Sequence, residues 1–150
     1  MANDAIASIQ ATVLPDEIAK TLSATMTVSP SDANDKWYFK KTSVSNSSTD
    51  LIAGNSTDYT AVDDDTAPTA VATGDKVNFL FIKNMDTNSR SIYIVLDAGT
   101  ASSSAGDGIT IGPNEFFCAR LPNTTVADIH AISSASTAEV LVCALLDDVG

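Results

Sequence analysis

The chain is short of bases, cysteine, glutamate and aromatic rings, and each shortage excludes something. Eight Lys and Arg stand against 19 Asp and Glu in 150 residues, a formal charge of −11. A phosphate-backbone binder needs a basic face, so a nucleic-acid partner is excluded. The same charge argues against docking on an anionic membrane surface. No apolar run approaches the roughly 18–20 residues of a membrane-spanning helix. The opening MANDAIASIQATVL has no base and no continuous apolar stretch, so a secretory signal is not expected. Only Cys118 and Cys143 carry thiols, with no CxxC spacing, so neither a zinc site nor a thioredoxin-like motif is expected. Both lie in apolar runs, FFCARL and VLVCALL, and read as buried free thiols. A disulfide between adjacent core strands is the alternative.

What is abundant is short and polar. Sixteen of the 19 acids are Asp, and Ser, Thr and Asn are frequent. These residues bond their own backbone and so favour turns over helix interiors. With 44% apolar residues the chain is no disordered acidic tail. At this length one domain can bury roughly 68–70% of its unfolded surface.

Residues 5–14 read as an extended arm or edge strand, with Ile6, Ile9, Val13 and Leu14 set among small polar residues. Pro15, Asp16 and Glu17, with Ile18 and Leu22 four apart, describe a short helix. Strands are expected at 24–28, 36–45, near 51–52, at 59–62, 76–84, 90–96, 109–111, 115–121, 129–133 and 138–146. Period two puts Trp37, Phe39 and Lys41 on one face and Tyr38 and Lys40 on the other, with the Trp read as core-facing and Lys36, Lys40 and Lys41 as solvated. The loop 85–89 reads as a hairpin returning strand 76–84 into strand 90–96. Turn signals every 8–12 residues and no long helical pattern predict an all-β sandwich or barrel, with an N-terminal arm and one short helix. The whole is one domain, 1–150, with the arm and helix at 1–22 and the β core at 23–150.

Chemistry is sparse. His130, in ADIHAIS, has no marked nucleophile to serve, since there is no G-x-S-x-G elbow. Asp63-Asp64-Asp65 and Asp86-Thr87-Asn88 lack the ligand spacing of a calcium loop and read as solvated loops. Glu17, Glu115 and Glu139 show no paired arrangement for glycoside hydrolysis. No enzyme activity, cofactor or metal is expected.

One set of motifs remains. Lys83-Asn84 ends a strand, Asp97 to Thr100 reads D-x-G-T, Ile111 to Glu115 reads I-x-P-N-E, and Ala127 to Ser133 reads ADIHAIS. Together, over residues 77–146, they resemble small all-β virion proteins of tailed bacteriophages. That resemblance implies an all-β, jelly-roll-like or related antiparallel β-sandwich, a non-catalytic protein on the capsid surface, assembled in the host cytoplasm. It would decorate and stabilise the shell by bridging major capsid protein subunits, as a homo-oligomer and by preference a homotrimer. The shared pattern is one of turns and strands, so it assigns no binding residue. The partner interface is expected instead on the arm, at Ile6, Ile9, Val13 and Leu14, adding a strand to a neighbour's sheet edge or pairing within its own domain. The alternative is a receptor- or glycan-binding β-sandwich module of a tail fibre or adhesin.

Overall fold

The computed structural model describes residues 4–13, 20–32, 35–52, 59–61, 64–68, 71–87, 89–104 and 108–147. The chain divides into two compact units, Met1–Ser31 and Asp32–Gly150. The first is a hairpin of β1 (Ala5–Val13) and β2 (Lys20–Val28), paired antiparallel without a break from Ala5↔Val28 to Val13↔Lys20. The arm therefore has a partner in its own unit. Lys20, Thr21 and Leu22, expected to close a short helix, open β2 instead. Leu14 and the rest of the expected helix, 15–19, lie outside the described residues.

The second unit is an antiparallel sandwich. Its strands are β3 (Lys36–Val44), β4 (Thr49–Asp50), β5 (Tyr59–Ala61), β6 (Asp64–Pro68), β7 (Lys76–Asn84), β8 (Ile92–Val95), β9 (Ile109–Ile111), β10 (Phe116–Arg120), β11 (His130–Ser133) and β12 (Ala138–Asp147). They form a six-stranded sheet, β10-β7-β12-β3-β5-β6, and a four-stranded sheet, β4-β11-β8-β9. One buried cluster joins them. Tyr38, Leu80, Ile82, Val140, Val142 and Ala144 come from the larger sheet, and Ile92, Ile94, Ile111 and Ala131 from the smaller. Each fully buried Ile, Leu or Val contributes roughly 1.5–3 kcal/mol. Of the all-β sandwich or barrel read from the turn spacing, the sandwich is the fold observed. Its one described helical turn is a 3-10 turn at Val126–Asp128.

Four expectations are corrected. Strands β7 and β8 are not a hairpin: β7 pairs with β10 and β12, whereas β8 pairs with β9 and β11. Residues 85–91 thus carry the chain from one sheet to the other. On β3 the faces are reversed: Tyr38 is buried in the core, Trp37 is half-buried and Phe39 is exposed. Lys36, expected in solvent, is buried. Leu51 and Ile52 are not strand residues but fully buried bends after β4.

Alternation along β7 also changes phase. Leu80 and Ile82 face the core on even positions, yet Val77 faces it on an odd one. The register shows why: Phe79 lies opposite Leu145 and Val77 opposite Leu146, so Asn78 is an extra residue forming a β-bulge.

Candidate interaction surfaces

The hairpin is amphipathic across its strands. Pairing sets the odd residues of β1 beside the even residues of β2. One face carries Ala5, Ala7, Ile9, Ala11 and Val13 against Val28, Met26, Ala24, Leu22 and Lys20. The other carries Ser8, Gln10 and Thr12 against Thr25, Ser23 and Thr21, with Ile6 beside Thr27. On the polar face Ser8 and Thr25 hydroxyls meet at 3.2 Å. On the apolar face Ile9 is 51% exposed and Leu22 60%, while Val28 is buried. Of the residues expected to form a partner surface, Ile9 and Val13 share the apolar face and Ile6 projects from the opposite one. Leu22 and Met26 join this face, although the sequence pattern reads Leu22 as helical and Met26 as part of a strand with no assigned partner.

A second apolar surface lies on the side of the six-stranded sheet away from the core. The register builds it in rows across the strands. Cys118 of β10 lies opposite Phe81 of β7, which lies opposite Cys143 of β12, which lies opposite Phe39 of β3. The next row runs Phe116, Lys83, Leu141, Lys41. Phe81 and Phe116 stack with centroids 5.9 Å apart, as diagonal neighbours on a sheet do. Phe39 is 63% exposed and Phe116 52%. At the other end Trp37 meets Phe79 edge to face at 6.3 Å, and Phe79 and Leu145 are buried.

This register answers the thiol question. Cys118 and Cys143 are separated by a whole strand, so their Cα atoms are about 10 Å apart. A disulfide spans no more than about 7 Å. Both are free and half-buried, and burial pushes both thiols up from their ordinary value, Cys143 with a further push from Cys118. The polar margin of this face is Glu139, which accepts a hydrogen bond from Ser43 Oγ and pairs with Lys41 Nζ at 3.3 Å. The Ser43 hydrogen bond first, and then Lys41, hold the Glu139 carboxyl below the usual carboxylate range.

The motif residues are spent inside the fold. Asn84, fully buried, donates through Nδ2 to the carbonyls of Arg90 (2.7 Å) and Ile111 (3.2 Å), and its Oδ1 accepts from Asp86 N (3.0 Å). Asp86 is buried too, accepting from Ser89 N and from the Arg90 guanidinium at 2.6 Å. It is a structural turn rather than the solvated loop expected. In the I-x-P-N-E turn, Gly112 N donates to Glu115 Oε2 at 2.7 Å, Asn114 is left-handed with φ 60°, and Asn114 N donates to Asp86 O. The two motifs together hold the crossing between sheets. In the D-x-G-T turn, Asp97 Oδ1 accepts from Gly99 N at 3.0 Å, and Ala98 is left-handed with φ 62°. His130 then clamps this turn: Nδ1 is 2.6 Å from Gly99 O, and Nε2 is 3.2 Å from Asp50 Oδ1. Asp128 accepts from Thr125 N and Oγ1, at 2.7 and 2.9 Å, and so closes the 3-10 turn.

A depression of about 240 Å³ is lined by Ile94, Val95, Leu96, Asp97 and Ile109. Its one acid, Asp97, is already engaged with Gly99 N. Among the described residues no group of three or more His, Cys, Asp or Glu is placed to hold a metal ion. Of the expected acid cluster, Asp64 and Asp65 lie in β6 rather than in a loop, and Asp63 lies outside the described residues. No described helix is long and apolar enough to cross a membrane. No protein-family model, no curated protein and no solved structure matches the chain.

Proposed function

We propose that this chain is a non-catalytic virion protein that decorates a tailed-phage capsid and stabilises it by bridging major capsid protein subunits, acting as a homo-oligomer. The observation that carries the reading is the core-distal face of the six-stranded sheet. A broad, rigid surface with Phe39 and Phe116 well over a third exposed suits contact with another protein. The polar residues of the motifs support it from the other side, because Asn84, Asp97, Glu115 and His130 are occupied in holding turns. The phage and capsid terms rest on the resemblance of those motifs. Binding only to the assembled lattice stabilises it by mass action, without chemistry.

The test is rebinding. Mature capsids prepared without the protein should take it up and lose their contents at a higher temperature than bare capsids. Phe39→Ser with Phe116→Ser should weaken uptake at least tenfold with the fold intact. If the capsid surface is acidic too, attachment comes from apolar contact and should not be lost in moderate salt. Absence of uptake, or uptake of a glycan probe through the loops with none by capsids, would overturn the reading in favour of a tail-fibre or adhesin module.

A further inference from the structure

We infer that the apolar face of the β1–β2 hairpin is a self-association surface, covered by the same face of a second copy. Three observations converge on that occupant.

The hairpin cannot supply its own stability. A two-stranded sheet in water is marginal unless an apolar face is packed against something. Here one face is apolar over nearly its full length, and its central residues Ile9 and Leu22 are more than half exposed.

Charge selects the partner. The chain carries −11, so two copies repel over most of their surfaces. Strands β1 and β2 hold a single charged residue, Lys20, at one end. With no acid in either strand, two acidic copies meet at the hairpin at low electrostatic cost, and Lys20 adds attraction toward the acids of the other chain. Neither strand contains a proline, and the register has no bulge, so the usual devices that discourage association of an edge are missing.

Area then sets the strength. Nine residues per strand make a face roughly 30 Å long and roughly 10 Å wide. Two such faces bury about 600 Å², against the 1,200 Å² or so at the lower end for stable complexes. The association is therefore weak, reversible and concentration-dependent. The inference gives a surface to the homo-oligomer of the proposed function but is independent of the capsid, since the purified chain alone must show it.

Sedimentation velocity of the full chain between about 1 and 500 µM is the experiment. The expected result is a rise in weight-average sedimentation coefficient across that range, strengthened between 50 and 500 mM NaCl as the repulsion is screened. Ile9→Thr with Leu22→Thr leaves β-branched strand formers at both positions while removing the centre of the apolar face, and should weaken association at least tenfold. Gln10→Lys, on the polar face, should leave it unchanged. In case the double variant loses the hairpin, Ala24→Cys should cross-link copies under mild oxidation and Ser23→Cys should not. A chain monomeric at every concentration overturns the inference. So does association untouched by the double threonine variant, or equal cross-linking from both cysteine positions.

Discussion

Asn84 offers the sharpest test of how the two sheets are joined. It ends β7, and its side chain holds three backbone groups of the crossing: Arg90 O, Ile111 O and Asp86 N. Asn84→Ala removes all three bonds and leaves the peptide groups in place. The bonds to Ile111 O and Asp86 N are buried, and each orphaned group costs roughly 1–3 kcal/mol. The bond to Arg90 O is partly buried and adds roughly 0.5–1 kcal/mol. The sum is about 2.5–7 kcal/mol, a large share of the total stability of an ordinary domain. With a urea m-value of about 2 kcal/mol/M, the midpoint should fall by about 1–3.5 M. Trp37, the single tryptophan, sits on β3 and reports unfolding of the six-stranded sheet by fluorescence. Asn84→Asp should be worse still, because it sets a carboxylate oxygen against two carbonyls beside buried Asp86. A fall of under 0.5 M for Asn84→Ala would refute the argument. It would mean that the crossing is held by packing and that the asparagine is incidental.

Ala98, at φ 62°, should gain about 0.5–1 kcal/mol when replaced by glycine, because relief of left-handed strain outweighs the added unfolded-state entropy; an unchanged or lower urea midpoint would contradict this. Cys118 and Cys143 should react with a disulfide reagent at pH 8 more slowly than free cysteine, since burial raises both thiols, and oxidised monomer should show no intrachain bridge by mass spectrometry. Glu139 has a folded pKa below its unfolded value, so its contribution is present above the unfolded pKa and is lost as pH falls through the folded one. Glu139→Gln should accordingly cost no more than about 1 kcal/mol at pH 7, given the exposure of the pair with Lys41, and nothing at pH 2; a cost that persists at pH 2 would point to lost packing instead.

Where hydrophobic alternation is strong, the strands were legible. The bounds of β7 and β9 coincide with the expected 76–84 and 109–111, and β12 extends its expected range by one residue. Pairing was not legible. Alternation says that 76–84 and 90–96 are strands, but the choice between hairpin and crossover turns on Asn84, whose side chain reaches Ile111 O, and on Asp86, whose carbonyl accepts from Asn114 N. The faces of β3 were ambiguous because Trp37, Tyr38 and Phe39 put aromatics on both parities. The N-terminal surface was half legible. Ile9 and Val13 stood out, but alanine is a weak signal, and the apolar stripe appears only when β1 is set in register with β2. The four-residue spacing of Ile18 and Leu22 suggests a helical turn but is equally compatible with one face of a strand, and Leu22 lies in β2.

The last described strand occupies the middle of the larger sheet. β12 lies between β7 and β3, pairing with a segment made some hundred residues earlier. β3 and β7 do not pair with each other, so the larger sheet stays in two parts, β10-β7 and β3-β5-β6, until residues 138–147 dock between them. Closing the sheet therefore waits on long-range β pairing, which is generally slow. In that interval the chain exposes the facing edges of two long strands rich in aromatic and branched residues. The aspartates spread along the sequence repel other unfolded chains in the meantime.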